Sequence, residues 1–104
     1  MVEGQDPLRI PIEHSLDLHA FAPADIPSVV EEYVREAHAA GFRQVRLIHG
    51  RGRGVQRGIV QQALERHPLV AEFFDDPGAH LGATIAILRD QARLEPHAIS
   101  DRLP

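Results

Sequence analysis

The chain has 104 residues, enough for one domain with a single modest core. An apolar fraction of 43% fits a folded globular domain, and the absence of cysteine excludes disulfides, thiolate metal sites and cysteine nucleophiles. The net charge of −4 argues against non-specific attraction of the whole surface to nucleic acid. No apolar run approaches the roughly 18 residues of a membrane span, and the N-terminus lacks the basic-then-apolar pattern of a signal peptide. The expectation is a soluble protein of a reducing cytoplasm, with no membrane partner.

Residues 1–13 read as an extended N-terminal arm interrupted by Pro7 and Pro11. From its end emerges a first strand, residues 13–19, in which Leu16 and Leu18 face a core and Asp17 and His19 the other side. A helix follows, with Asp25 as N-cap, Pro27 in the first turn, and Ser28 with Glu31 at capping-box spacing as a second choice. Ile26, Val29, Val30, Tyr33, Val34 and Ala37 recur at helical spacing, and Gly41 ends the helix. Residues 43–48 predict a second strand, 49–54 a glycine loop, and 55–67 a second helix with Ile59, Val60, Ala63 and Leu64 inward, stopped by Pro68. Residues 69–74 predict a third strand, Asp75-Asp76-Pro77-Gly78 a turn, and 82–88 a fourth strand. Residues 89–104 read as a polar tail. The order β-α-β-α-β-β predicts an α/β, two-layer α+β sandwich: a mixed four-stranded sheet with both helices on one face.

Charge is distributed unevenly. All eleven basic residues are Arg, whose planar fork suits bidentate phosphate contact. Between residues 37 and 64 there is no Asp or Glu, yet Arg43, Arg46, Arg51, Arg53 and Arg57 all fall there. Glu31, Glu32 and Glu36 read as a solvated helix face. The loop His49-Gly50-Arg51-Gly52-Arg53-Gly54 leads directly into a helix. Inward-turned amides and the helix dipole make such a loop an anion site. It is not a Walker A loop, since the chain has no Lys, and its spacing is not that of a dinucleotide fingerprint.

His19 and His49 both end strands joined by one helical crossover, which predicts a common sheet edge and a separation of about 5–10 Å. Asp17, on the face of His19, can orient the imidazole or hold it cationic. The same three residues can also be read as part of a metal site, but only His80 offers itself as a further ligand. His38 is expected on the exposed side of the first helix. His67, at the end of the second, is placed where a cation suits the dipole. Phe42, Phe73 and Phe74 are expected to be core or partly buried, with an exposed ring able to stack a base.

Leu16-Asp17-Leu18-His19, Ala39-Ala40-Gly41, the run from Val45 to Gly54, His67-Pro68-Leu69-Val70 and Gly82-Ala83-Thr84 form a series that resembles the small MutS-related (Smr) domain family over residues 14–88. The resemblance implies a β-α-β-α-β-β fold like the C-terminal domain of bacterial translation initiation factor three. It also implies binding to DNA or RNA and endonuclease activity, either nicking DNA, including branched DNA, or cutting RNA, including messenger RNA on ribosomes. Asp17 and His19 match the family's catalytic motif, and His49, Gly50, Gly52 and Gly54 its glycine loop. Ala20 departs from the motif, which has Gly there in many members; an added methyl matters where the backbone must take a positive φ or approach a ligand closely.

The expected catalytic residues are therefore Asp17 and His19, with His49 as partner. The expected phosphate-binding set is Gly50, Arg51, Gly52, Arg53, Gly54 and Arg57. A divalent metal such as Mg²⁺ is compatible with this reading and is not required if an RNA 2′-hydroxyl is the nucleophile. The alternative is a non-catalytic module that recognises branched DNA or structured RNA.

Overall fold

The computed structural model describes residues 13–52 and 54–90. Residues 1–12 of the expected arm (1–13), Arg53, and residues 91–104 of the expected tail (89–104) lie outside the described residues. Strand β1 (Ser15–Asp17) is followed by helix α1 (Ile26–Ala39), strand β2 (Gln44–Ile48), helix α2 (Val55–Arg66), and strands β3 (Val70–Asp75) and β4 (Ala83–Leu88). The sheet order is β1-β2-β4-β3, with β1 parallel to β2 and β4 antiparallel to both of its neighbours. The expected fold, a mixed four-stranded sheet with two helices, is the one observed.

Strand β1 is shorter than the apolar alternation predicts. The Asp17 carboxylate accepts the His19 backbone N–H and draws the chain out of the ladder. At its other end the Tyr33 hydroxyl donates to the Glu13 carbonyl. Burial, with a contribution from the Glu13 carboxylate, pushes the Tyr33 phenol up to about 12. His14 stacks on Phe42 with ring centroids 4.5 Å apart.

Helix α1 is entered through a 3-10 turn, Pro23–Asp25. Asp25 holds the N-cap position, but its side chain makes no capping bond, and the Ser28 hydroxyl reaches back to the Asp25 carbonyl at 3.4 Å, so the capping-box alternative is not formed. The C-terminus follows expectation: Gly41, at φ +93°, donates to His38, and Phe42 donates to Ala37, a Schellman closure. His38 corrects the sequence reading. It is only 8% exposed because it continues the Val30–Val34 stripe by one further turn.

His67, at the C-cap of α2, is also buried. Its Nδ1 accepts the Leu69 N–H at 3.1 Å while Nε2 donates to the Glu31 carbonyl at 3.2 Å. The ring staples the end of α2 to α1 and to the residue before β3. Asp75 belongs to β3 rather than to the turn after it. Asp76 begins that turn, accepting the Gly78 N–H at 3.0 Å ahead of a 3-10 segment, Pro77–Ala79.

The register separates two faces. Leu47 lies opposite Thr84, and Val45 opposite Ala86, on the side covered by α1 and α2. Leu18, Ile26, Val30, Val34, Leu47, Val60 and Leu64 are fully buried there. Each such side chain contributes about 1.5–3 kcal/mol by its burial. Asp17, Arg46 and Ile48 have the opposite parity.

Candidate functional site

Where β1 ends, Asp17 Oδ1 accepts two bonds from one residue: the His19 backbone N–H at 3.0 Å and the His19 Nδ1–H at 2.6 Å. Both side chains remain open to solvent, 64% exposed for His19 and 55% for Asp17. The hydrogen bonds from His19 hold the Asp17 carboxyl below its usual range. With Nδ1 committed to Asp17, Nε2 is the nitrogen of His19 left to take or give a proton. Ala20 has no positive φ, so its methyl strains nothing in this backbone.

Strand β2 brings the glycine loop alongside. The Leu18 N–H donates to the Ile48 carbonyl, and the next loop residue, Gly50, passes His19 so closely that a Cβ on it would lie 3.6 Å from that of His19. That spacing is ordinary contact. The selection for glycine comes from φ +84°, which L side chains rarely adopt.

His49 turns away from His19. It shares the parity of Val45 and Leu47, and it is 2% exposed. Its Nδ1–H donates to the Gly50 carbonyl at 3.1 Å, since a carbonyl only accepts. Its Nε2 meets the Thr84 hydroxyl at 2.9 Å, and the Gln61 amide donates to that same hydroxyl at 3.0 Å. The chain therefore runs Gln61 N–H to Thr84 O–H to His49 Nε2, with His49 Nδ1–H closing on the loop. Burial first, then the nearby Arg57 guanidinium, push the His49 imidazole below its usual range, against the opposing Gly50 bond and Asp75 carboxylate. The neutral ring braces the loop and does not face the crevice with His19.

The loop is tied down from the β3–β4 connection as well. The His49 and Gly50 amides both donate to the Gly82 carbonyl, at 3.0 and 2.9 Å. A Cβ on Gly82 would lie 3.0 Å from the Ala79 carbonyl oxygen and 3.2 Å from Arg51 Cγ, so the Arg51 stem packs tightly over Gly82 and would have to give way to a larger residue. The Gly50 amide is thus spent inside the protein. The donors at the mouth are those of the α2 N-terminus, where Gly54 (φ +85°) makes no side-chain cap and no acid occupies the first turn.

The five arginines separate. Arg51 is exposed, and among the described residues no carboxylate pairs with it. Arg57 is held by Asp75 through two bonds of 2.8 Å, with Gln61 on the same carboxylate at 3.1 Å. Arg57 first, then Gln61, hold the Asp75 carboxyl low. Arg46 is bound to Asp76 at 2.6 Å. Arg43 precedes β2, at the end away from the loop. Of the expected phosphate set, Arg51, Gly52 and Gly54 are exposed on the loop, Arg57 is in an ion pair, and Arg53 lies outside the described residues. Among the described residues no group of three His, Asp or Glu gathers as a metal site.

Sequence reasoning did not single out Gln61, Thr84, Asp75 or Gly82 as site residues. For His49 the signal was present: its parity with Val45 and Leu47 already points it inward.

A family model for the Smr domain matches residues 16–89. The chain is 38% identical over 81 residues to the endonuclease MutS2 of Caldicellulosiruptor saccharolyticus, covering 76% of this chain and 10% of that protein. It is 36% identical over 77 residues to the endonuclease MutS2 of Thermus thermophilus, covering 71% of this chain and 10% of that protein. It therefore spans about a tenth of the length of these relatives. Among solved structures, the Smr domain of Thermus thermophilus MutS2 superposes with a TM-score of 0.69 at 34% identity, covering 74% of this chain and 99% of that one. YdaL, a stand-alone small MutS-related protein from Escherichia coli, superposes with a TM-score of 0.68 at 26% identity, covering 81% of this chain and 70% of that one. No helix among the described residues is long and apolar enough to cross a membrane.

Proposed function

This chain belongs to the Smr domain family, and from that premise we propose that it binds nucleic acid where β1 and β2 end and cleaves a phosphodiester bond there. The observation that carries this reading is the Asp17–His19 pair, bonded at 2.6 Å, exposed, and set against Gly50 of an arginine-bearing glycine loop. The naming of its relatives as endonucleases supports the same reading.

The mechanism assigns each group one task. Arg51 and the uncapped α2 N-terminus hold the phosphate and stabilise the charge that grows on it. His19 Nε2 takes the proton of the attacking hydroxyl, and the Asp17 carboxylate steadies the imidazolium that results. On RNA the attacking group is the 2′-oxygen. It bonds to phosphorus as the bond to the 5′-oxygen breaks, leaving a 2′,3′-cyclic phosphate and a 5′-hydroxyl that gains its proton from the medium. On DNA the attacking group is water: its oxygen bonds to phosphorus as one P–O ester bond breaks, leaving one phosphate end and one hydroxyl end whose oxygen gains its proton from the medium. His49 fixes the loop and transfers no proton to substrate. The substrates of this reading are structured or ribosome-borne RNA and branched DNA, met in the cytoplasm.

The test is a gel assay on labelled structured RNA and branched DNA, with magnesium and with chelator, comparing wild type with His19→Ala. General acid–base catalysis by a positioned side chain contributes about 10²–10⁴-fold, so cleavage falls by that factor while binding stays nearly constant. Equal loss of binding and cleavage would remove the catalytic assignment. Binding without cleavage in every wild-type lane would favour the recognition-module reading instead.

A further inference from the structure

Among the described residues four large apolar side chains are exposed: Phe21 (37%), Val55 (58%), Phe74 (45%) and Leu81 (53%). Three of these border the glycine loop, and none has a core to fill. Phe21 stands two residues beyond His19. Its N–H donates to the Leu18 carbonyl at 3.0 Å, and its own carbonyl accepts from Gln56 Nε2 at 3.0 Å. The residue is thereby pinned between the end of β1 and the first turn of α2. Val55 opens α2 beside Gln56. Leu81 takes φ +69° directly before Gly82, whose carbonyl holds the loop and whose Cα meets the Arg51 stem. Leucine rarely takes the left-handed region, and here its side chain is exposed to solvent.

An anion-binding loop needs no apolar border. A phosphate within duplex nucleic acid presents none to match, since its bases are stacked inward. An unpaired nucleotide presents both: a charged phosphate, and within one residue a bare π-face that gains by leaving water. Stacking on aromatic rings beside a positive groove is how single strands and splayed RNA bases are held. We infer that Phe21, on the Val55 side of the loop, is a stacking platform for the unpaired base next to the phosphate held at Arg51 and the α2 N-terminus, so that the protein acts on single-stranded segments. This rests on the nucleic-acid reading above and assigns its substrate class.

The chain contains no tryptophan, so Phe21→Trp installs a lone reporter at the platform. In a His19→Ala background, which keeps the strand intact, that variant is titrated with a short single-stranded RNA, with the same strand in duplex, and with a strand carrying abasic residues. The single strand quenches the tryptophan, the abasic strand does not, and the duplex does not. In the same background Phe21→Ala lowers affinity for the single strand by about 5- to 150-fold, the range of one base–aromatic stack, and leaves duplex affinity unchanged. Phe74→Ala, on β3 at the far edge of the sheet, changes neither. Salt-dependent binding with an unquenched tryptophan, or with equal effects of Phe21→Ala on both forms, overturns the platform while leaving the nuclease reading in place. Absence of binding to either form overturns both.

Discussion

Asp17 binds the backbone and the ring of His19 with one oxygen, so a single carboxylate sets both the position and the counter-charge of the imidazole. Because its folded pKa is depressed, the stability this pair contributes is present above the ordinary carboxylate range and is lost only as pH falls through the lower folded value. His49 has a depressed pKa for the opposite reason, exclusion from water. Its neutral form contributes fully above the unfolded value near 6.5. That contribution is lost as pH falls from there through the folded value, because the unfolded chain takes up the proton first. Denaturant unfolding at pH 7 and pH 5 is expected to show a larger acid-side loss in wild type than in His49→Asn. The other six histidines are common to both proteins, so identical losses would mean that the ring is not held neutral. The Asp17–His19 pair was legible because two residues two apart in a short apolar alternation share a face. The partner role expected for His49 was not supported by its own parity, and adjacency of strand ends concealed that the two rings face opposite sides of the sheet.

At the scale of elements, the loop works as a connector whose three anchorages come from different places: Gly82 on the β3–β4 connection, His19 beyond β1, and the Thr84–Gln61 chain beneath it. Among the described residues its free charge is Arg51, whereas Arg57 is occupied by Asp75. Arg51→Ala is expected to flatten the plot of log affinity against log salt by about 0.7 on a single strand, the contribution of one phosphate contact. Arg57→Ala is expected to leave that slope unchanged. A slope insensitive to Arg51, or equally sensitive to both, would count against the loop as the phosphate holder. The glycine positions were legible because a helix stop and a tight loop leave marks within a few residues. The Arg57–Asp75 pair was not, since its partners are 18 residues apart and meet only once α2 lies against β3.

At the scale of the molecule, the number and kind of elements could be read from periodicity, but the place of β4 could not. Its position between β2 and β3 depends on register between distant segments, and local pattern contains no such information. The core under that strand is dense, and Leu47→Ala, at a fully buried position opposite Thr84, is expected to cost about 2–5 kcal/mol in equilibrium unfolding. A loss below 1 kcal/mol would place Leu47 outside the core. The central position of β4 has a consequence for synthesis. A ribosome releases β1, β2 and β3 before the strand that joins β2 to β3, and Gly82 and Thr84, which secure the loop, arrive with that strand. A nascent chain halted before residue 82 therefore has no closed sheet, and neither Gly82 nor Thr84 to brace the loop. The candidate site is therefore assembled only when β4 slots into the middle of the sheet.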